Sequence, residues 1–249
     1  MARQRHLSNA PISEALIDLH VEPKPGLDFE GLKEFIGASD FGYYLKSPIS
    51  HGLFGFKLTS DGNQPETTGT AEQVGIRMHS ADELYVAQCR LSGLTLSRLH
   101  PYEGWDKLVD ETKRVWAIYR ERLAPVRLTR VATRFINNLQ LPLQSGDSYQ
   151  VYLHKLVDVP DDAPQAVASF FQRFELVDVE SGHRVILTAA QEPASPQGPP
   201  SVILDVDAYT HTNLRPRDEQ LWVILERLRE LKNRTFFGSI TEQAAELYE

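Results

Sequence analysis

The sequence has a single cysteine in 249 residues, Cys89. No disulfide can therefore close within the chain, and nothing marks an oxidising compartment. No run approaches the roughly 18 apolar residues that a membrane helix needs. The basic start MARQRHLSNAP is not followed by an apolar segment, because Glu14, Asp18, His20 and Glu22 interrupt the next stretch, so no signal peptide is read. Positive charge is also short: 26 Lys+Arg stand against 34 Asp+Glu, a formal net charge of −8. Such a field repels polyanions and disfavours nucleic acid as a partner, which leaves only a local basic patch open. The signatures that would name a reaction are missing: no G-x-S-x-G elbow, no Walker loop, no dinucleotide glycine run, no zinc-type histidine pair. An enzyme is accordingly disfavoured, no cofactor or metal is expected, and a cytoplasmic protein without a membrane partner is.

What is present is the composition of an ordinary folded protein, 41% hydrophobic and 24% charged. The chain is organised around residues 126–142, VRLTRVATRFINNLQLP. Read as a strand, this stretch places Leu128, Arg130, Ala132, Arg134, Ile136 and Asn138 on one face. Arg127, Thr129, Val131, Thr133, Phe135 and Asn137 take the other. Neither face is purely apolar, and the simplest expectation is that Arg134 pairs with a carboxylate on a neighbouring strand.

Before this strand, residues 15–22 alternate apolar and polar as a half-buried strand does, and Pro23, Pro25 and Gly26 end it. Asp28 is placed to cap a short helix carrying Phe29, Leu32, Phe35 and Ile36. Strands are expected over 53–59, 73–79 and 84–99, the last broken near Ser92 and Gly93, with a polar loop at 61–72. Residues 105–123 form a strongly amphipathic helix stopped by Ala124 and Pro125. After Pro142 the pattern predicts a short helix over 148–156 and strands over 167–179, 184–191 and 201–209, the first two joined across ESGH. Residues 192–200, EPASPQGPP, read as a loop. A second amphipathic helix is predicted over 217–233, with Leu221, Ile224, Leu225, Leu228 and Leu231 on its stripe. Phe236, Phe237 and Gly238 then read as a turn, and Ser239 with Glu242 as a capping box that opens a last helix over 239–249.

The order strand, short helix, strands, long helix thus occurs twice, in residues 12–124 and 126–233. The expected fold is α+β: two such halves form one broad, curved antiparallel sheet with the long helices on one face, in the manner of TATA-binding-protein-like or helix-grip folds. The whole chain, 1–249, is read as a single structural unit. The stretches LSNAPISEALIDLHVE, TRVATRFINNLQLP, ILDVDAYTH and LRELKNRTFFGSITEQAAELYE together resemble a sporadically distributed, functionally uncharacterised family of prokaryotic proteins of about this length. That resemblance transfers no activity, cofactor or catalytic residue, and its patchy distribution suggests a bacterial accessory system of the defence or toxin–antitoxin kind.

Three constellations remain as candidates. Asp205, Asp207 and His211 in ILDVDAYTH have the donor types of a metal site, but alternating aspartates on the wet face of a strand need no metal. Arg130, Arg134 and Asn137 with Asp205 and Asp207 could meet across the sheet as structural ion pairs, or as the polar floor of a ligand pocket between sheet and helix. Arg114, Arg120, Arg122 and Arg127 give the highest basic density and could bind phosphate or nucleic acid, although acidic residues alternate with such basic residues as on any solvated helix. The leading expectation is a non-catalytic binding or assembly protein acting through a protein partner or as a homo-oligomer. The alternatives are a ligand or catalytic pocket and a phosphate-binding patch.

Overall fold

The computed structural model describes residues 1–38, 41–57, 66–143, 147–192 and 201–249. Nine antiparallel strands form one sheet, and the elements follow the chain as β1 (Ile12–Glu22), α1 (Phe29–Ala38), β2 (Tyr43–Lys57), β3 (Glu66–Ser80), β4 (Tyr85–Arg90), β5 (Gly93–Leu99), α2 (Trp105–Leu123), β6 (Arg127–Gln140), a 3-10 turn (Tyr149–Val151), β7 (Phe171–Val177), β8 (Arg184–Gln191), β9 (Ser201–Leu214), α3 (Gln220–Ser239) and α4 (Glu242–Glu246). No helix among the described residues is long and apolar enough to cross a membrane.

The strand order β2-β3-β4-β5-β1-β6-β9-β8-β7 makes the duplication visible. β1 and β6, the first strands of the two halves, lie side by side in the middle, and each half then runs outward from its last strand to its earlier ones. The first half carries one strand more. Ala15, Ile17 and Leu19 of β1 and Val202, Leu204 and Val206 of β9 are buried on one face of the sheet. Over that face lie α2, against β1 and β5, and α3, against β6, β8 and β9.

α2 forms where its stripe predicts: Leu108, Thr112, Val115, Trp116, Tyr119 and Leu123 are buried. Trp116 and Tyr119 stack with ring centroids 5.5 Å apart, and the Tyr119 hydroxyl donates to the Arg90 carbonyl at 2.8 Å. Burying each ring contributes about 1.5–3 kcal/mol. Gly93 lets β5 start hard against β1: its φ is +150°, and a Cβ there would sit 2.2 Å from the Leu19 carbonyl oxygen. Asp28 caps α1 as expected, accepting from the Gly31 amide at 2.9 Å.

The departures from expectation have physical causes. A bulge between Leu128 and Arg130 turns Leu128 inward beside Val131, so the simple alternation holds only from Arg130 onward. β2 begins ten residues earlier than read because its Pro48 lies on an edge strand, where a missing N–H costs no ladder bond. The polar loop expected over 61–72 is strand from Glu66, and 61–65 lie outside the described residues, as do 193–200 of the expected loop before β9. The helix expected over 148–156 is a single 3-10 turn. β7 starts at Phe171, not at 167, and β9 continues to Leu214. α3 runs on through Phe236, Phe237 and Gly238, because both phenylalanines are buried and packing overrides the turn signal. The cap of α4 is therefore Thr241, whose hydroxyl accepts from the Ala244 amide at 3.3 Å, while Glu242 accepts from the Arg3 amide.

Candidate functional site

The open face of the sheet carries the arginines and aspartates singled out in the sequence, and it brings them together. Arg134 reaches Asp205 with a two-pronged contact, Nε at 2.8 Å and Nη2 at 2.5 Å. Arg130 bridges strands, giving one N–H to Asp18 on β1 and another to Asp207 on β9, both at 2.9 Å, and lies over the Tyr209 ring. Asp18 also accepts from Arg90 at 2.8 Å and Thr95 at 2.5 Å, and lies 2.8 Å from His20 Nε2. Three arginines thus meet three aspartates and the ladder is neutral.

The electrostatics follow from those contacts. Burial would push the Asp18 carboxyl up, but His20, Thr95 and Arg90 together outweigh it and hold it well below the usual carboxylate range. Burial wins at Asp207, whose pKa is raised although Arg130 and Arg134 oppose the shift. Asp205 and Asp207 face arginines rather than a cation site, and His211 stands beside Tyr209, ring edge to face. Among the described residues no cluster of three or more His, Cys, Asp or Glu could hold a metal.

The basic residues read as a patch are dispersed and mostly engaged. Arg114 binds Glu111 and the Phe41 carbonyl, Arg120 approaches the Pro216 carbonyl at 3.4 Å, and Arg127 pairs with Glu22 and Asn213. Arg122 is exposed on α2.

Arg130, Arg134, Asp205 and Asp207 do not floor a pocket between sheet and helix, because their parity puts them on the face the helices leave open. Asn137, of opposite parity, does face the helices. It lines a cavity of about 900 Å³ bounded by β6, α3, the start of α2 and the N-terminal segment. Residues 2–9 close one side, tied down by the Ala2 amide donating to the Phe237 and Ile240 carbonyls and the Asn9 amide to the Tyr248 carbonyl. Gly104, at the turn into α2, holds φ +147° with open space around it, so conformation rather than room selects glycine there.

Aromatic side chains make the walls. Tyr102 packs edge-on to Phe135 at 5.4 Å between centroids, and Trp105 lies 6.4 Å from the same ring. The charges at the rim are matched: Arg5 pairs with Glu242 and Glu249, Arg229 with Glu226, and Glu103 with Lys107 and Arg98. Trp105 Nε1 donates to Glu226. Asn137 donates its amide to the Phe135 and Leu204 carbonyls, and its Oδ1 receives no bond from the described residues.

Lys232 is the exception. It is buried on α3 and lines the cavity, with Nζ 3.5 Å from the centre of the Phe135 ring. It makes no hydrogen bond or ion pair with any described residue. Burial, and secondarily the charge of Arg229, pulls its pKa from 10.5 down to about 7. Sequence reasoning passed over it, yet a signal existed: Lys232 stands four residues from both Leu228 and Phe236 on the buried stripe of α3, where an apolar residue belongs.

Neither a protein-family model nor a curated protein matches the chain.

Proposed function

We infer that the chain is a ligand-binding protein whose cavity between β6 and α3 takes a small organic acid with a flat, apolar body. The observation that carries this reading is Lys232, an amine buried at a cavity wall with no anion supplied by any described residue. A buried charge is ordinarily paired or neutralised. Among the described residues the arginines and glutamates at the cavity rim are paired with one another, whereas this amine is not, and a ligand carboxylate would complete the pair while its body lies against Tyr102, Trp105 and Phe135. The Oδ1 of Asn137 offers one acceptor for a polar substituent on that body.

The probes are benzoate, phenylacetate and indole-3-acetate, titrated into the protein by calorimetry, with intrinsic tryptophan fluorescence as a second readout for the first two. One-to-one binding of at least one of them is expected, weakened about tenfold or more by Lys232→Met, since a hydrogen bond to a charged group is worth about 1.5–3 kcal/mol. Arg134→Gln, on the opposite face, should leave the affinity unchanged. Uptake of none of these acids, or equal affinity in the wild type and Lys232→Met, would refute the reading.

A further inference from the structure

The sheet ends at β7, whose outer edge is paired by no described element, and the sequence of that edge, FQRFELV, has neither a proline nor a register shift. Phe171 is 70% exposed, Val177 52%, Leu176 45% and Phe174 42%. The other end of the sheet differs, for β2 carries Pro48 and two register shifts, devices that discourage pairing. The charges on β7, Arg173 and Glu175, are of opposite sign, so a strand that brings them face to face would be held rather than repelled, and an exposed edge of this kind is a template for it.

Which strand it fits follows from the register. The Gln191 amide donates to the Phe170 carbonyl and the Asp178 amide to the His183 carbonyl, and with the β7–β8 pairing this means that even-numbered residues of β7 spend their backbone groups on β8. Phe171, Arg173, Glu175 and Val177 therefore direct their N–H and C=O groups outward. If a second β7 approaches antiparallel about a two-fold axis at Phe174, every outward residue meets an outward residue. Phe171 then faces the second copy's Val177, Arg173 faces its Glu175, and Phe174 faces itself. A slip of two residues either way would set Arg173 against Arg173 or Glu175 against Glu175.

Both members of the charge pair are available. Arg173 makes no hydrogen bond or ion pair with any described residue. Glu175 uses one carboxylate oxygen for Tyr209 at 2.6 Å and Arg184 at 3.0 Å, and its other oxygen accepts no bond from them. We propose that the chain forms a two-fold homodimer through β7, joining two nine-stranded sheets edge to edge with Phe174 on the axis and Arg173 paired to the second copy's Glu175. The two-fold relation is what an isologous contact between identical chains requires.

Sedimentation analysis of the full-length chain tests the proposal. The wild type should be dimeric, and Arg173→Glu should raise the dimer dissociation constant about tenfold or more by setting like charges opposite. The double variant Arg173→Glu/Glu175→Arg restores the pairing and should restore the dimer. So should an equimolar mixture of the two single variants, which is a result that mere misfolding of either could not give. Phe174→Cys adds a second readout. Residues facing each other without ladder bonds lie about 4.5 Å apart at Cα, within disulfide range, and the native Cys89 is buried. Mild oxidation should therefore give a covalent dimer in high yield. A wild type that stays monomeric at every concentration, or a dimer indifferent to Arg173→Glu, would overturn the proposal.

Discussion

On the open face of the sheet Asp18 is 8% exposed and has four polar partners; on the helix-covered face Lys232 is also 8% exposed and has none among the described residues. The two residues are equally exposed, so the difference lies in what the chain provides around them. Asp18 sits where β1 is flanked by β5 and β6, and each neighbouring strand contributes a donor directed at it. Lys232 sits on a helix whose neighbours at that level are aromatic rings and a cavity. A buried charge that the fold fully satisfies is part of the structure. One that the fold leaves unsatisfied costs stability, and that cost is the reason to look for a ligand there.

The comparison breaks most sharply at Asp18. Asp18→Ala leaves Arg90 and Arg130 facing each other across an empty position, and removing one member of a buried pair costs about 3–5 kcal/mol. Chemical denaturation at neutral pH should show that loss. The pH dependence has a definite sign. The folded carboxyl titrates well below its unfolded value, so its contribution is fully present above about pH 4 and is lost as the pH falls further. In Asp18→Asn that part of the acid-induced loss should be missing, and equal acid sensitivity in the two proteins would contradict the assignment.

At Lys232 the expected change has the opposite direction. Its unfolded amine keeps a proton up to about pH 10.5, while the folded one releases it near 7. Between those values the unfolded chain holds more protons, so stability rises with pH, by at most about 1.4 kcal/mol per unit. Lys232→Met removes that slope and should stabilise the protein by about 1–3 kcal/mol at neutral pH, as apolar replacement of a buried charge does. The readout is the difference in unfolding free energy between wild type and variant from pH 6 to 9, below the range where the buried tyrosines titrate. A variant that is less stable than the wild type would mean that Lys232 has a partner in solution.

The ladder was far more legible in the sequence than the cavity, and the reason is periodicity. Strand parity alone put Arg130 and Arg134 on one face of β6 and Asp205 and Asp207 on one face of β9, so their meeting followed once the strands were neighbours. Parity also separated Asn137 from them, although the cavity was expected on the arginine side. Asp18 and Arg90, the other half of the ladder, were missed because nothing local says that β1 and β4 flank β5. The cavity depends on contacts between residues 2–12, 100–105 and 229–237, which are distant in sequence and lie in a loop, a terminal segment and the last turns of a helix. Lys232 was hidden by an early end to α3: with the helix stopped at 233, it looked like one more charge near a terminus.

The smallest effect is expected at Arg134, and it separates location from function. Its contact with Asp205 has good geometry, but its side chain is 43% exposed, and ion pairs at that exposure contribute about 1 kcal/mol or less. Arg134→Gln keeps a donor within reach of Asp205 and should lower stability by no more than that, in a manner weakened further by salt. A loss comparable to that of Asp18→Ala would show that the ladder is cooperative from Arg90 to Asp205. A double-mutant cycle between Asp18 and Arg134 decides the point, because independent sites add and a connected network does not.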